Sequence, residues 1–486
     1  LKGPEQILEK LYNTYGNKIV LKPRVVIQKD IKNAAAFWRQ SNVIVVSEKL
    51  IEVCRTFGPD SASALAFVFG HEISHAFQLD LAAKETSFLA YDRTVNSSEL
   101  HEEAADVSGA FMADQAGYKT LDILEPLIER IYSSFNLNEN IPGYPSLEER
   151  KRTSLKVVKM FKELKQIYEM GNYLSAMGQH DIAIDCYKFV AKWYRGREVF
   201  NNIGVNYALL ALNFKSNNSD QYIYPLEINW SSRLKKPNFS RGDDFTESEI
   251  LLRQEYLKYS EENLVIASRM DPNFLSAEVN ILCVIVMNDK TNEAMEFYRK
   301  NDLAKRNLLL DPEAKSKDQL RLALALSYVH EGEPDKAKRI WKDILNNKNV
   351  NYVDQAKFNL ETLEGIKHKS MESESCYKFS ESSKTVDGIK IHRKINNDHW
   401  LKLNIESDTE LCIQELPNSV VYTFKTNHNY LNFQRVKGEW NVGKKAFRNA
   451  KSKLLTNNGA IFHCEEDKYA LLIDKQSKIV EYIKYN

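Results

Sequence analysis

The stretch SASALAFVFGHEISHAF, residues 61–77, is apolar almost throughout but carries two histidines and a glutamate near its centre. A segment that is apolar on all sides is expected to form a buried helix. Imidazole and carboxylate groups inside such a helix are unfavourable unless they are paired or bind a metal. The stretch therefore predicts a core helix in which His71, Glu72 and His75 require partners.

The spacing of these three residues suggests what the partners are. His71 and His75 are four residues apart, so on a helix they share one face and present their imidazoles to one point. Neutral imidazole is a good zinc ligand. Glu72 lies beside that point, where a carboxylate can take a proton from a metal-bound water, as in the HExxH motif. A pair of hydrogen-bonded histidines with no metal is the alternative explanation.

A catalytic zinc also needs a third protein ligand and one open position. The stretch ELHEEAADVSGAF, residues 99–111, offers Glu102 and Asp106, which share a helix face. Ser97 and Ser98 are favourable N-cap residues, so a second helix is expected to start there. Its small residues Ala105 and Gly109 would let it pack closely on the first helix. From spacing alone, either carboxylate fits the third position.

The motifs together resemble a known family. HExxH is followed by ExxAD and then by a glycine three residues later. The segments NAAAFWRQSNVIVVSEKL, from residue 33, and YPSLEER, residues 144–150, agree with it. This combination is similar to the gluzincin zinc metallopeptidases, the group of the CAAX prenyl endopeptidase, HtpX and BepA. The resemblance covers roughly residues 5–160, extends to 160–368 by architecture, and does not reach the C-terminal region.

The resemblance implies a role for each site residue. His71, His75 and Glu102 would bind one zinc ion per chain, and Glu72 would be the general base. Asp106 would orient a ligand histidine, in agreement with the usual carboxylate partner of a metal-bound imidazole. The resemblance also implies that strand residues 42–46 lie at the sheet edge beside the cleft, where an extended substrate could pair.

Other positions carry weaker hypotheses. His101 and Tyr144 are candidates for stabilising the oxyanion, although a structural role fits either one as well. Arg150 could pair with a carboxylate near the site or with one at the surface. The chain departs from the family at Tyr144, at Asp80 and at residues 39–41, where Arg, Gln and Ser replace glycines. Substrate access and any gating loop are therefore left open.

Three regions differ in their sequence pattern. Residues 1–158 combine two Val/Ile-rich strands, at 25–30 and 42–47, with the active-site helices, which predicts an α+β zincin-like peptidase domain. Residues 159–368 show helical repeats that resemble tetratricopeptide repeats, with an irregular helical bundle as the alternative. A polar segment at 214–244 is expected to interrupt them. Residues 369–486 are expected to contain a Ser-rich linker and a β-rich or α+β domain of unknown role.

The repeat assignment depends on small and aromatic residues that recur at matching spacing. Small residues would let paired helices approach, and aromatic residues would fill the gaps between neighbouring pairs. The first set is Gly171, Gly178, Ala183 and Tyr187, and the later set is Tyr328, Gly332, Ala337 and Trp341.

Composition excludes some functions. The chain has 67 basic and 66 acidic residues, which gives no indication of nucleic-acid binding. No stretch approaches the roughly 20 apolar residues of a membrane span. The six cysteines form no CxxC pair, which argues against a cysteine zinc cluster and favours a reducing compartment such as the cytoplasm. The BepA-like architecture and the start at Leu1 favour the cell envelope or periplasm. A removed signal peptide, a deleted anchor and a truncated gene are all open.

The function predicted from sequence is a zinc-dependent endopeptidase acting on protein or peptide substrates. The helical repeats would dock a substrate or a protein partner. A gated or dormant peptidase that acts as a chaperone-like binding module is the alternative. A scaffold without metal is a third possibility.

Overall fold

The computed structural model of the chain describes residues 3–29, 34–83, 97–136, 147–214, 221–229, 232–233, 246–304, 306, 317–346, 352–366 and most of 401–485. Some side chains within these ranges, including those of 78–83, 97–103 and 149–150, lie outside the description. The chain forms two compact units. Unit 1 comprises residues 1–169, 190–197 and 269–272, and unit 2 comprises residues 170–189, 198–268 and 273–486.

Unit 1 contains a small sheet and five complete helices. The helices are α1 (Pro4–Tyr15), α2 (Glu48–Arg55), α3 (Ser61–Ala83), α4 (Ser97–Gln115) and α5 (Leu124–Ser134), and α6 (Leu147–Ala176) begins here. The strands are β1 (Arg24–Gln28), β2 (Ala35–Trp38) and β3 (Val43–Ser47). The helices expected at residue 61 and near Ser97 are confirmed, as are the strands near 25–30 and 42–47.

The order of the three strands corrects one expectation. β3 is the central strand, paired in parallel with β1 and antiparallel with β2. The prediction that residues 42–46 lie at the sheet edge is therefore wrong. All five β3 residues are buried, which is typical of a strand with neighbours on both sides. β2 lies at the edge instead and packs against α3.

Unit 2 contains the remaining helices. They are the end of α6, α7 (His180–Ala191), α8 (Arg197–Ala211), α9 (Glu247–Met270), α10 (Leu275–Met287), α11 (Thr291–Lys300), α12 (Lys317–His330), α13 (Pro334–Asn346) and α14 (Val353–Leu363). The last residues of α7 and α9 and the first residue of α8 belong to unit 1. A Cβ on Gly171 of α6 would lie 3.0 Å from the Tyr187 ring of α7, so a small residue of one helix packs against an aromatic residue of the next. The assignment of these helices to tetratricopeptide-like repeats stays a prediction.

Ten strands of unit 2 form one antiparallel sheet. Two come from the middle of the chain, β4 (Glu227–Asn229) and β5 (Ser232–Arg233). The others are β6 (Leu401–Glu406), β7 (Thr409–Leu416), β8 (Ser419–Lys425), β9 (Tyr430–Asn441), β10 (Ser452–Thr456), β11 (Gly459–Cys464), β12 (Tyr469–Asp474) and β13 (Lys478–Tyr485). The strand order is β4-β5-β10-β11-β12-β13-β9-β8-β7-β6. The C-terminal region is therefore rich in β-structure, and the expected linker at 367–388 lies outside the described residues.

The segment expected to interrupt the repeats is not simply an exposed polar insertion. Residues 222–228, YIYPLEI, are buried without exception. The expectation for 214–244 treated the whole stretch as polar and overlooked this apolar core. Residues 215–220 and 234–245 lie outside the described part of the chain. In the ranges that are described, no helix is both long and apolar enough to cross a membrane.

Candidate metal centre

α3 brings the two predicted histidine ligands together. The Nε2 atoms of His71 and His75 lie 3.0 Å apart. The two rings are nearly perpendicular, with an interplanar angle of 86° and centroids 4.6 Å apart. This convergence follows from the spacing of four residues, which places both side chains on one helix face.

Asp106 of α4 orients the first of these rings. Its Oδ1 lies 2.6 Å from Nδ1 of His71, and the carboxylate is almost completely buried. A carboxylate in its ionised form only accepts hydrogen bonds, so this contact suits a His71 ring that carries its proton on Nδ1 and donates to Asp106. In that tautomer Nε2 of His71 is the atom with the lone pair, and it faces His75. This is the tautomer that a metal-ligating histidine requires.

Two glycines allow the helices to come close enough for this contact. A Cβ built on Gly109 of α4 would lie 2.5 Å from the His71 amide nitrogen. One built on Gly70 of α3 would lie 2.6 Å from the Gly109 carbonyl oxygen. The close packing expected from Gly109 is confirmed. Gly70 was not identified in the sequence analysis, although its place directly before His71 was the available signal.

Glu72 is the third polar residue of the motif. Its side chain is only 8% exposed, which removes it from most of the competing water. A carboxylate in such a place can accept a proton from a group held beside it, provided that the group lies within hydrogen-bond reach. The neighbouring Ser74 hydroxyl donates to the Gly70 carbonyl of its own helix, at 2.8 Å.

The pair of imidazoles can be tested against the requirements of zinc. At Zn–N distances of about 2.0–2.1 Å, tetrahedral angles place two ligand nitrogens about 3.4 Å apart. The observed 3.0 Å separation is near this value, so a modest opening of the two rings would admit the ion. The nitrogen donors and the buried carboxylate on His71 fit the chemistry of a zinc site.

The predicted third ligand is described only in part. Glu102 lies within α4, one helical turn before Asp106, and its side chain falls outside the described residues. Among the side chains that are described, no group of three or more His, Cys, Asp or Glu is arranged to hold a metal. The ligand set of His71, His75 and Glu102 therefore stays a prediction, as does the role of Asp106 in orienting a ligand histidine.

The other candidates remain untested. Tyr144 falls in the undescribed range 137–146, and the side chains of His101 and Arg150 are not described either. The sequence analysis did not predict the edge strand β2. Its four residues, AAFW, are a short run with little alternation, and a strand of that length gives a weak periodic signal.

Comparison with protein families gives a match to the first part of the chain. A family model described as peptidase family M48 matches residues 5–95, which include nearly all of α1, the sheet, α2 and the whole of α3. No curated protein matches the chain. The match ends before α4, so it covers His71, Glu72 and His75 but neither Glu102 nor Asp106. Peptidases of this family are zinc-dependent. The segment that carries the HExxH motif is therefore similar to the M48 metallopeptidases, which supports a protease function.

Proposed function

We propose that this protein is a zinc-dependent endopeptidase. The observation that carries the proposal is the convergence of two imidazole Nε2 atoms at 3.0 Å, with one ring fixed in the metal-binding tautomer by a buried aspartate. The M48 match, which includes His71, Glu72 and His75, also supports it.

Glu102 is the proposed third ligand. The contact between Gly70 and Gly109 marks where α3 and α4 cross, and the contact between His71 and Asp106 lies next to it. Moving from Gly109 to Asp106 follows α4 towards its N-terminus, and one further turn reaches Glu102. Moving from Gly70 to His71 follows α3 towards its C-terminus and His75. Because the two helices run antiparallel at this crossing, both movements go in the same direction in space. A carboxylate at position 102 would then complete the set with His71 and His75.

The chain's own groups would divide the work as follows. When bound, zinc would polarise the scissile carbonyl and make its water more acidic. Glu72 would accept the proton of the attacking water and pass it to the leaving amine. Asp106 would hold the His71 ring in its orientation and balance part of the positive charge at the centre.

Among the described strands β2 pairs only with β3, so its other edge supports binding of an extended substrate. The Ser47 amide donates to the Ala34 carbonyl, so even-numbered residues of β2 bond to β3. The main-chain groups of Ala35 and Phe37 then point away from β3, towards the open edge. A substrate strand could add there by main-chain hydrogen bonds. This role replaces the one expected for residues 42–46.

Casein cleavage by the wild-type chain and by Glu72→Gln tests the proposal. General acid–base catalysis contributes about 10²- to 10⁴-fold, so we expect a loss of that size, with zinc content and thermal unfolding unchanged. Glu52→Gln on α2, an exposed residue, is the matched control and should cleave at the wild-type rate. Equal cleavage by Glu72→Gln would remove Glu72 from the mechanism.

The zinc content of His71→Ala and Glu102→Ala tests the ligand set separately. Each variant should lose the ion, because two remaining protein ligands hold zinc poorly. Wild-type occupancy in Glu102→Ala would show that another residue provides the third ligand. A chain that binds zinc but cleaves nothing would instead favour the gated or dormant, chaperone-like module.

A further inference from the structure

The 222–228 segment lies against four helices of unit 2. Its main chain receives hydrogen bonds from Asn201 of α8, Asn280 of α10, Gln319 of α12 and Asn359 of α14. All four amide side chains have no exposed surface. The segment meets the helices in the order α14, α12, α10 and α8, opposite to their order in the chain.

Two of these asparagines each hold both main-chain groups of one residue. The Ile223 amide donates to Asn359 Oδ1 at 2.7 Å, and Asn359 Nδ2 donates to the Ile223 carbonyl at 2.9 Å. Asn280 makes the same pair of bonds with Glu227, at 3.0 and 2.9 Å. An asparagine in this position replaces a neighbouring β-strand, because it accepts from N–H and donates to C=O as a ladder partner does.

Further main-chain contacts complete the set. Gln319 donates to the Pro225 carbonyl at 2.9 Å, and Asn201 donates to the carbonyls of Glu227 and Ile228. These contacts recognise an extended backbone and not a particular sequence. Apolar packing adds to them, with the Tyr222 and Trp341 rings 6.0 Å apart. The Tyr352 hydroxyl donates to the Glu227 carboxylate, which makes an acidic residue favourable at that position.

Buried amides on helices are unfavourable in themselves. Asparagine is a poor helix former, and an amide shielded from water without partners costs free energy. Asn359 and Asn280 use both their Oδ1 and Nδ2 atoms on the extended backbone that lies along them, and Gln319 and Asn201 donate to its carbonyls. Asn280 Nδ2 also donates to Asn201 Oδ1, at 2.9 Å. Any polypeptide with the same main-chain geometry would satisfy them equally.

We propose that the face formed by Asn201, Asn280, Gln319 and Asn359 is a docking site for an extended polypeptide, and that the 222–228 segment is its internal ligand. An apolar, extended segment of another protein would bind there by replacing the internal one. This gives a specific form to the docking role that the sequence analysis expects of the helical repeats. It depends only on unit 2 and not on the peptidase site.

The test uses the full chain and a labelled peptide, QYIYPLEIN, that copies residues 221–229. In the double variant Ile223→Pro/Glu227→Pro, the internal segment lacks the two N–H groups that donate to Asn359 and Asn280. We expect the peptide to bind this variant at least about tenfold more tightly than the wild type, since 1.4 kcal/mol of lost internal bonding is a factor of ten.

Two controls make the test specific to main-chain recognition. A peptide that is N-methylated at the positions of Ile223 and Glu227 keeps every side chain but loses both donors, so it should bind at least about tenfold more weakly. Adding Asn280→Ala and Asn359→Ala to the double variant should abolish binding, whereas adding Asn263→Ala should not. Asn263 of α9 donates only within its own helix, to the Tyr259 carbonyl, at 2.8 Å.

Hydrogen exchange of the wild type provides a measurement that does not depend on the variant folding. The amides of Ile223 and Glu227 should exchange faster than those of the fully buried helix α10, because the segment leaves while the helices stay folded. Exchange at the same rate as α10 would overturn the proposal. So would equal peptide affinity for the wild type and the folded double variant, or strong binding of the N-methylated peptide.

Peptide binding is measured without cleavage, so a failure of this proposal leaves the peptidase proposal intact. An inactive peptidase likewise leaves the docking proposal intact.

Discussion

Two regions of the molecule bury polar side chains on apolar helices, and they do so in opposite ways. In the α3–α4 pair, His71, His75 and Asp106 converge on a point, with contacts of 2.6 and 3.0 Å. In unit 2, buried amides on separate helices are spread along a line and hold one extended segment. Convergent ionisable groups suit chemistry on a small centre. A row of neutral amides suits the binding of a chain.

The largest effect on stability is expected at the row of amides. Asn359→Ala leaves both the N–H and the C=O of Ile223 without their side-chain partner. Each orphaned buried group costs about 1–3 kcal/mol, so with two groups the free energy of unfolding should fall by about 2–6 kcal/mol. Urea denaturation measures it, with Asn263→Ala as the control at about 0.5 kcal/mol or less. If Asn359→Ala is no worse than this control, the row does not hold the segment in the way proposed.

The convergent site should respond in metal affinity. Asp106→Asn keeps the shape of the side chain but removes the charge that fixes the His71 tautomer. Loss of such a carboxylate partner lowers metal affinity about 10- to 100-fold, which a competition titration with a zinc chelator would measure. Asp114→Asn, further along α4 and paired with Lys165 at 2.9 Å, is the control. Unchanged affinity in Asp106→Asn would remove the contrast in function between the two regions.

The helix crossing beside the site should not tolerate added volume. In Gly109→Ala the new methyl group would lie 2.5 Å from the His71 amide nitrogen, so α4 must shift away. Overpacking of this kind costs about 1–3 kcal/mol, to be read from thermal unfolding. Gly3→Ala, with nothing within 4 Å of its Cβ, should be neutral. A neutral Gly109→Ala would mean that the crossing does not constrain the distance between His71 and Asp106.

The contrast also explains what could be predicted from the sequence. HExxH lies within five residues of one helix, so helix geometry alone brings His71 and His75 together. The partner Asp106 follows from a second short motif. The row of amides could not be predicted in this way, because Asn359 and Ile223 are 136 residues apart and each is an unremarkable residue of its own helix or loop.

The strand order was mispredicted for a related reason. The run VIVVS identified β3 as a strand, but its place in the sheet depends on β2, whose residues AAFW carry a weak signal. The polar average of residues 214–244 likewise concealed the seven buried residues YIYPLEI. Local pattern gave the elements, and pairing over distance decided which strand lies at the edge and which loop is buried.

The distances along the chain between the 222–228 segment and its partners also affect how unit 2 folds. The ribosome synthesises YIYPLEI before Asn280, Gln319 and Asn359, and the β10 residue Leu455, which pairs with Arg233 of β5, comes later still. The apolar segment therefore has no complete binding site until the helices have emerged. Contacts of such high sequence separation slow folding and leave apolar surface exposed while synthesis continues. We therefore expect unit 2 to complete its folding only after its last strands have been synthesised, with the apolar 222–228 segment uncovered during that interval.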